Sequence, residues 1–155
     1  MVDNGQSDRT SSKWIALSPD GVRHHFEHVV GAPVRGVWNI TRQVDPFGNA
    51  VTYSWAPIFR GDRYLGESLL AIEYSENEGA SLLPYAKVEF DYALLEYCEE
   101  SDIPIGAAYR RGNKQVTGAQ KLNAIRVLVR DTQTSDWSLR KAGRSELQNR
   151  KLCTL

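Results

Sequence analysis

At 155 residues, 41% apolar and 25% charged, the chain is one domain's worth of polypeptide or a fragment of something longer, and its composition is not that of a disordered segment. Nineteen Lys plus Arg balance nineteen Asp plus Glu, which argues against a generally basic nucleic-acid surface. No run approaches the ~18 apolar residues of a membrane helix, and the opening MVDNGQSDRTSSKW has no apolar segment of the kind a secretory signal carries.

Residues 1–12 are polar and read as a flexible N-terminus. From Lys13 the apolar period is two almost everywhere, which predicts strands. Lys13 to Leu17 is followed by the turn Ser18-Pro19-Asp20-Gly21, and Val22 to His28 returns as the second arm of a hairpin. After a loop over 31–36, Val37 to Val44 is a strand with Trp38, Ile40 and Val44 on one face. Asp45-Pro46-Phe47-Gly48-Asn49 then turns the chain into Ala50 to Trp55. Pro46 presets φ, Gly48 accepts a positive φ, and the Asp45 and Asn49 side chains can bond nearby amides. Such a corner sets the register of its two strands.

Ala56 to Gly66, with Pro57 and Gly61, reads as a loop, and Ser68 to Ser75 as a strand with Leu70, Ile72 and Tyr74 on one side. Glu76 to Pro84 is a polar turn; Tyr85 to Leu94 is a strand whose Val88, Phe90 and Tyr92 oppose Lys87, Glu89 and Asp91. Residues 95–118 are a long glycine-containing excursion, and Lys121 to Arg130 aligns Ile125, Val127 and Val129. Beyond Asp131 the alternation fades. Residues 131–155 read as a divergent tail, either weakly helical from Ser135 as N-cap or frayed. The fold class is therefore all-β, an antiparallel meander over residues 13–130. Trp38, Ile40, Tyr53, Ile72, Phe90, Ile125 and Val127 are its expected buried core, and at full burial Phe90→Ala would cost about 3–5 kcal/mol.

Read in order, the chain contains W-x-I-T-R-x-V-D-P-F-G-N-A-V-T-Y-S-W, then L-L-A-I-E-Y-S-E-N, Y-A-K-V-E-F-D-Y and K-L-N-A-I-R-V. This succession resembles the shell-forming region shared by SpvB-type domains, the B components of insecticidal toxin complexes, and Rhs/YD-repeat proteins. The residues that match are Trp38, Asp45, Gly48, Asn49, Tyr53, Ile72, Tyr74, Phe90, Tyr92, Leu122 and Ile125. The resemblance covers roughly residues 13–130. The further Tyr-rich strands, autoprotease and toxin segments of complete family members are not in the sequence, so it reads as a piece of a larger shell.

The resemblance implies a non-enzymatic structural segment of a toxin-encapsulating β-shell, without cofactor. Its implied partners are the remaining parts of the shell or other toxin-complex subunits, together with an enclosed toxin polypeptide; no nucleic acid and no membrane span are expected. The implied location is synthesis in the cytoplasm followed by release without a classical signal peptide.

Other chemistry finds little purchase. His24, His25 and His28 form H-H-x-x-H, which on a helix suits zinc, but on a strand His24 and His28 lie about 13 Å apart and His25 points away. Glu96, Glu99, Glu100 and Asp102 offer carboxylates without a pairing signal. Cys98 and Cys153 have no Cys-x-x-Cys spacing and read as ordinary thiols. A second architecture stays open: an independent β-sandwich that binds carbohydrate or protein with Trp38, Tyr53, Trp55 and Tyr74. A hydrolase using the 96–102 acids is a third.

Overall fold

The structure is a computed structural model that describes residues 13–33, 37–94, 107–110, 113–116, 120–131 and 134–144. Its strands are β1 (Trp14–Leu17), β2 (Arg23–Glu27), β3 (Asn39–Val44), β4 (Asn49–Arg60), β5 (Arg63–Asn77), β6 (Ala86–Leu94), β7 (Ala107–Arg110), β8 (Asn113–Val116), β9 (Gln120–Arg130) and β10 (Trp137–Arg144). Eight of them form one antiparallel meander in the order β1-β2-β3-β4-β5-β6-β9-β10, and β7 and β8 pair as a separate hairpin. Among the described residues there is no helix.

The register sorts the side chains into two unlike faces. On one, Tyr53, Ile72, Val88 and Val127 are partners across four strands; Tyr74, Ala86 and Val129 form the next row, and Phe90 opposes Ile125. On the other, Glu73 is opposite Lys87 and Glu89 is opposite Arg126. Lys87 Nζ lies 3.6 Å from Glu73 and 3.0 Å from Glu89, and Arg126 Nε lies 3.4 Å from Glu89. Lys87 and Arg130 also stand over the Trp137 ring, at 5.5 and 4.5 Å from its centroid. Such partly exposed pairs contribute roughly 0–1 kcal/mol each and mainly keep like charges apart.

The expected core is not buried. Trp38, Ile40, Tyr53, Ile72, Phe90 and Val127 are half-buried, as are Tyr74, Tyr92 and Leu122, and Ile125 is exposed. The reason is the number of layers. A sheet completes the burial of an apolar face by packing it against a second layer, and among the described residues none lies over this one. The side chains that are buried are mostly small or crowded by turns: Val29, Val44, Leu65, and the alanines at 50, 71 and 86. Val44 is the only side chain among them exposed by less than 2%.

Two further expectations are corrected. The loop read over 56–66 is strand on both sides of a two-residue hairpin turn, Gly61-Asp62. Gly61 takes the positive φ, +56°, that a primed turn needs at its first position. Pro57 is tolerated because the β3 ladder has ended: the last partner of β3 on this side of the corner is Thr52, so Pro57 pairs only with β5. Nor does a helix start at Ser135, which has φ +63°; the chain runs on into β10, and the sheet continues past residue 130.

Candidate functional site

The connections after β1, β3, β5 and β9 all fall at one end of the sheet, because alternate connections of a meander share an end. This rim holds the Asp45 corner. Asp45 Oδ1 accepts from the Phe47 amide at 2.9 Å and the Asn49 amide at 2.8 Å, and Oδ2 accepts from Asn49 Nδ2 at 2.7 Å. Those bonds, that of the Asn49 side chain foremost, hold the Asp45 carboxyl below its usual range. The next turn is clamped on by Asn77. Its Nδ2 donates to Phe47 O and Asn49 Oδ1, at 3.2 and 3.0 Å, while its Oδ1 accepts from the Ala80 amide at 2.8 Å.

Arg42 ties the same end together from the charged face, donating to Thr52 at 2.8 Å, Glu76 at 2.6 Å and Glu78 at 3.0 Å. Between the turns lies an open depression of about 530 Å³ lined by Arg23, Pro46, Phe47, Gly48 and Glu78 among others. Its charged groups are already engaged: Arg23 stands 3.8 Å from Glu78, and Asp45 is held by three donors. The lining has no hydroxyl, thiol or amine, its carboxylates are held as described, and the corner acts as a latch between turns.

A second polar cluster runs across β1 to β4. Tyr53 Oη donates to Gln43 Oε1 at 2.6 Å, which leaves Gln43 Nε2 to donate to His24 Nδ1 at 2.9 Å. Assigned from this network, the His24 proton sits on Nε2, 3.4 Å from Ser18 Oγ. Ser18 Oγ has two acceptors of its own, Asp20 Oδ1 and Val22 O. In a Ser-His-Asp triad the histidine accepts the hydroxyl proton. Here the histidine donates, so Ser18-His24-Asp20 is a fastening and not a triad.

The three histidines do not converge. His24 opposes Gln43 and His25 opposes Arg42, on opposite faces, while His28 stacks on Trp38 at 4.7 Å between centroids. Among the described residues no three His, Cys, Asp or Glu side chains come together as a metal set. The polar atoms of the aromatic residues serve the sheet itself: Trp55 Nε1 donates to Ile40 O at 2.8 Å and Tyr92 Oη to Leu69 O at 3.0 Å. Trp38 meets Trp14 edge to face at 5.7 Å. Trp14 Nε1 is the one buried side-chain nitrogen or oxygen among the described residues without a hydrogen-bond partner. Glu96, Cys98, Glu99, Glu100, Asp102 and Cys153 lie outside the described residues.

Sequence reasoning missed Asn77 and Arg42. The run Glu76-Asn77-Glu78-Gly79 reads only as a polar turn, and the available signal was an Asn before Glu-Gly, a residue type that caps turn amides. No family model and no curated protein matches the chain. No helix among the described residues is long and apolar enough to cross a membrane.

His25 supplies a pH dependence. Burial, and then the Arg23 and Arg42 charges, push its pKa below the ordinary 6.5. The unfolded chain therefore binds the extra proton more readily, so this contribution to stability is complete above the ordinary pKa and lost as pH falls through it. We expect the urea midpoint to fall between about pH 8 and pH 5. His25→Gln should show a smaller fall; an equal fall in both proteins would assign the effect elsewhere.

Proposed function

We propose that the chain is a non-enzymatic segment of a β-shell that encloses and delivers a toxic polypeptide. The observation that carries this reading is a two-faced sheet with no second layer among the described residues: eight strands in sequence order, ion-paired on one side and aliphatic and aromatic on the other. A wall one sheet thick needs this division. Its charged side suits water, and its half-buried apolar side suits an unfolded cargo, which exposes apolar surface of its own. The order of the Trp38, Asp45-Asn49, Ile72-x-Tyr74 and Phe90-x-Tyr92 strands supports the same family reading.

The test is co-expression of the chain with the reading frames that flank its gene. The expected product is a large particle, hollow in electron micrographs, that contains this chain and shields an enclosed polypeptide from protease. A monodisperse, heat-stable monomer that turns over a substrate or binds a sugar tightly would overturn the proposal.

A further inference from the structure

The two edges of the sheet differ in how they are defended. On β10, Arg140 and Lys141 are exposed, and the register slips between Leu139 and Lys141. Charged residues, lysine above all, bulges and very short strands are among the devices that stop an edge from recruiting another strand. Laid against a second β10, this edge also brings like charges together. The other edge, β1, carries only the last of these devices, a length of four residues: it reads Trp-Ile-Ala-Leu, with no charge, no proline and no bulge, and Ile15 and Leu17 are 41% and 72% exposed. Among the described residues no strand pairs with its outer side.

The backbone direction on β1 follows from its turn. Ser18 N donates to Val22 O at 3.0 Å, so Ser18 faces β2. Alternation along an antiparallel ladder then turns Ala16 and Trp14 toward β2 as well. The N–H and C=O groups of Ile15 and Leu17 point outward. A second antiparallel strand must match outward residues with outward residues, which rules out half of all registers. The register that uses both Ile15 and Leu17 sets Ile15 opposite Leu17 of a second copy and Ala16 opposite Ala16.

We propose that β1 is a dimerisation edge, at which two copies of the chain pair antiparallel across a two-fold axis at Ala16. Four backbone hydrogen bonds form, two for each Ile15–Leu17 pair, and their exposed side chains meet across the seam. Alanine at the axis lets the strands approach. Lys13 falls opposite Pro19 and away from its own counterpart, so nothing in β1 repels a copy of itself. Pairing β1 with β10 would make an open chain of copies, and the guarded β10 edge opposes it. This inference stands on the edge chemistry and does not depend on the shell reading.

Sedimentation velocity of the full-length chain over a concentration series is the first measurement, with a reversible monomer–dimer equilibrium that saturates at two copies as the expected result. Ile15→Lys should weaken the dimer by at least about tenfold, and Leu139→Lys on the other edge should leave it unchanged. Ala16→Cys, in a chain with Cys98 and Cys153 changed to Ser, should oxidise to a dimer whose 16–16 disulfide is mapped by mass spectrometry. In a non-hydrogen-bonded antiparallel pair the two Cα atoms stand about 4.5 Å apart, within disulfide reach. Circular dichroism checks that each variant keeps its sheet, and if Ile15→Lys unfolds, the disulfide map decides. A chain that stays monomeric throughout, assemblies that grow beyond two, equal weakening by Leu139→Lys, or a dimer without the 16–16 bond would overturn the proposal.

Discussion

Gly48→Val should destabilise the folded chain by about 2–3 kcal/mol, as measured from urea unfolding. Two costs combine. Gly48 sits at φ +86°, where a β-branched residue is strongly disfavoured. A Cβ there would also stand 3.2 Å from the Gly79 amide nitrogen and 3.4 Å from Asn77 Oδ1, the group that caps Ala80. The corner and the following turn would have to separate, which strains the 2.9 Å bond from the Glu78 amide to Gly48 O. Gly48→Ala should cost less, because it keeps the φ penalty without the branched side chain. Phe47→Ala, one residue away, removes a ring that is 82% exposed and should change stability by no more than about 0.5 kcal/mol. Equal losses for Gly48→Val and Phe47→Ala would remove the conformational argument.

Val44→Asp should prevent stable folding. Val44 is 1% exposed, placed between Arg23 of β2 and Ala50 of β4. Truncation to alanine removes two methyl groups and should cost about 2 kcal/mol. A carboxylate in the same space loses its water without gaining a donor, a cost of several kcal/mol against a total stability of roughly 5–15 kcal/mol for any domain. The informative contrast is Ile125→Asp. Ile125 is 37% exposed, so an aspartate there keeps part of its hydration and should be tolerated. Phe90→Ala should fall between them, below the 3–5 kcal/mol typical of a buried ring, because Phe90 is half-buried. Near-ultraviolet circular dichroism with urea titration orders the variants. If Ile125→Asp proves as damaging as Val44→Asp, the apolar face has a cover in solution.

β6, whose Val88, Phe90 and Tyr92 alternate with Lys87, Glu89 and Asp91, was legible because period two needs no tertiary information. The ends of β4 and β5 were not. Pro57, Gly61 and Gly66 read together as a loop, yet Pro57 lies beyond the β3 ladder and Gly61 belongs to a tight hairpin. β10 was hidden by its own bulge, which shifts the period between Leu139 and Lys141. Burial was misjudged for another reason: alternation tells which side of a sheet a residue occupies, but not whether a second layer covers that side. At the candidate site, the bonds within Asp45–Asn49 are local and readable. Asn77 and Arg42 reach partners about thirty residues away, set by the β4–β5 and β3–β4 registers, and no short motif encodes those contacts.

The meander order also decides how the sheet bears load. In the eight-stranded sheet each strand is bonded only to its neighbours, and β1 and β10 occupy opposite edges. Tension applied between those edges pulls across the strands, so the hydrogen bonds of each ladder open one after another, as in a zipper, instead of sharing the force as they would in shear. With no second layer among the described residues to brace it, the sheet yields ladder by ladder at low force, and the three-pair β3–β4 ladder is its shortest. A chain drawn lengthwise from one end would therefore lose its strands in sequence order.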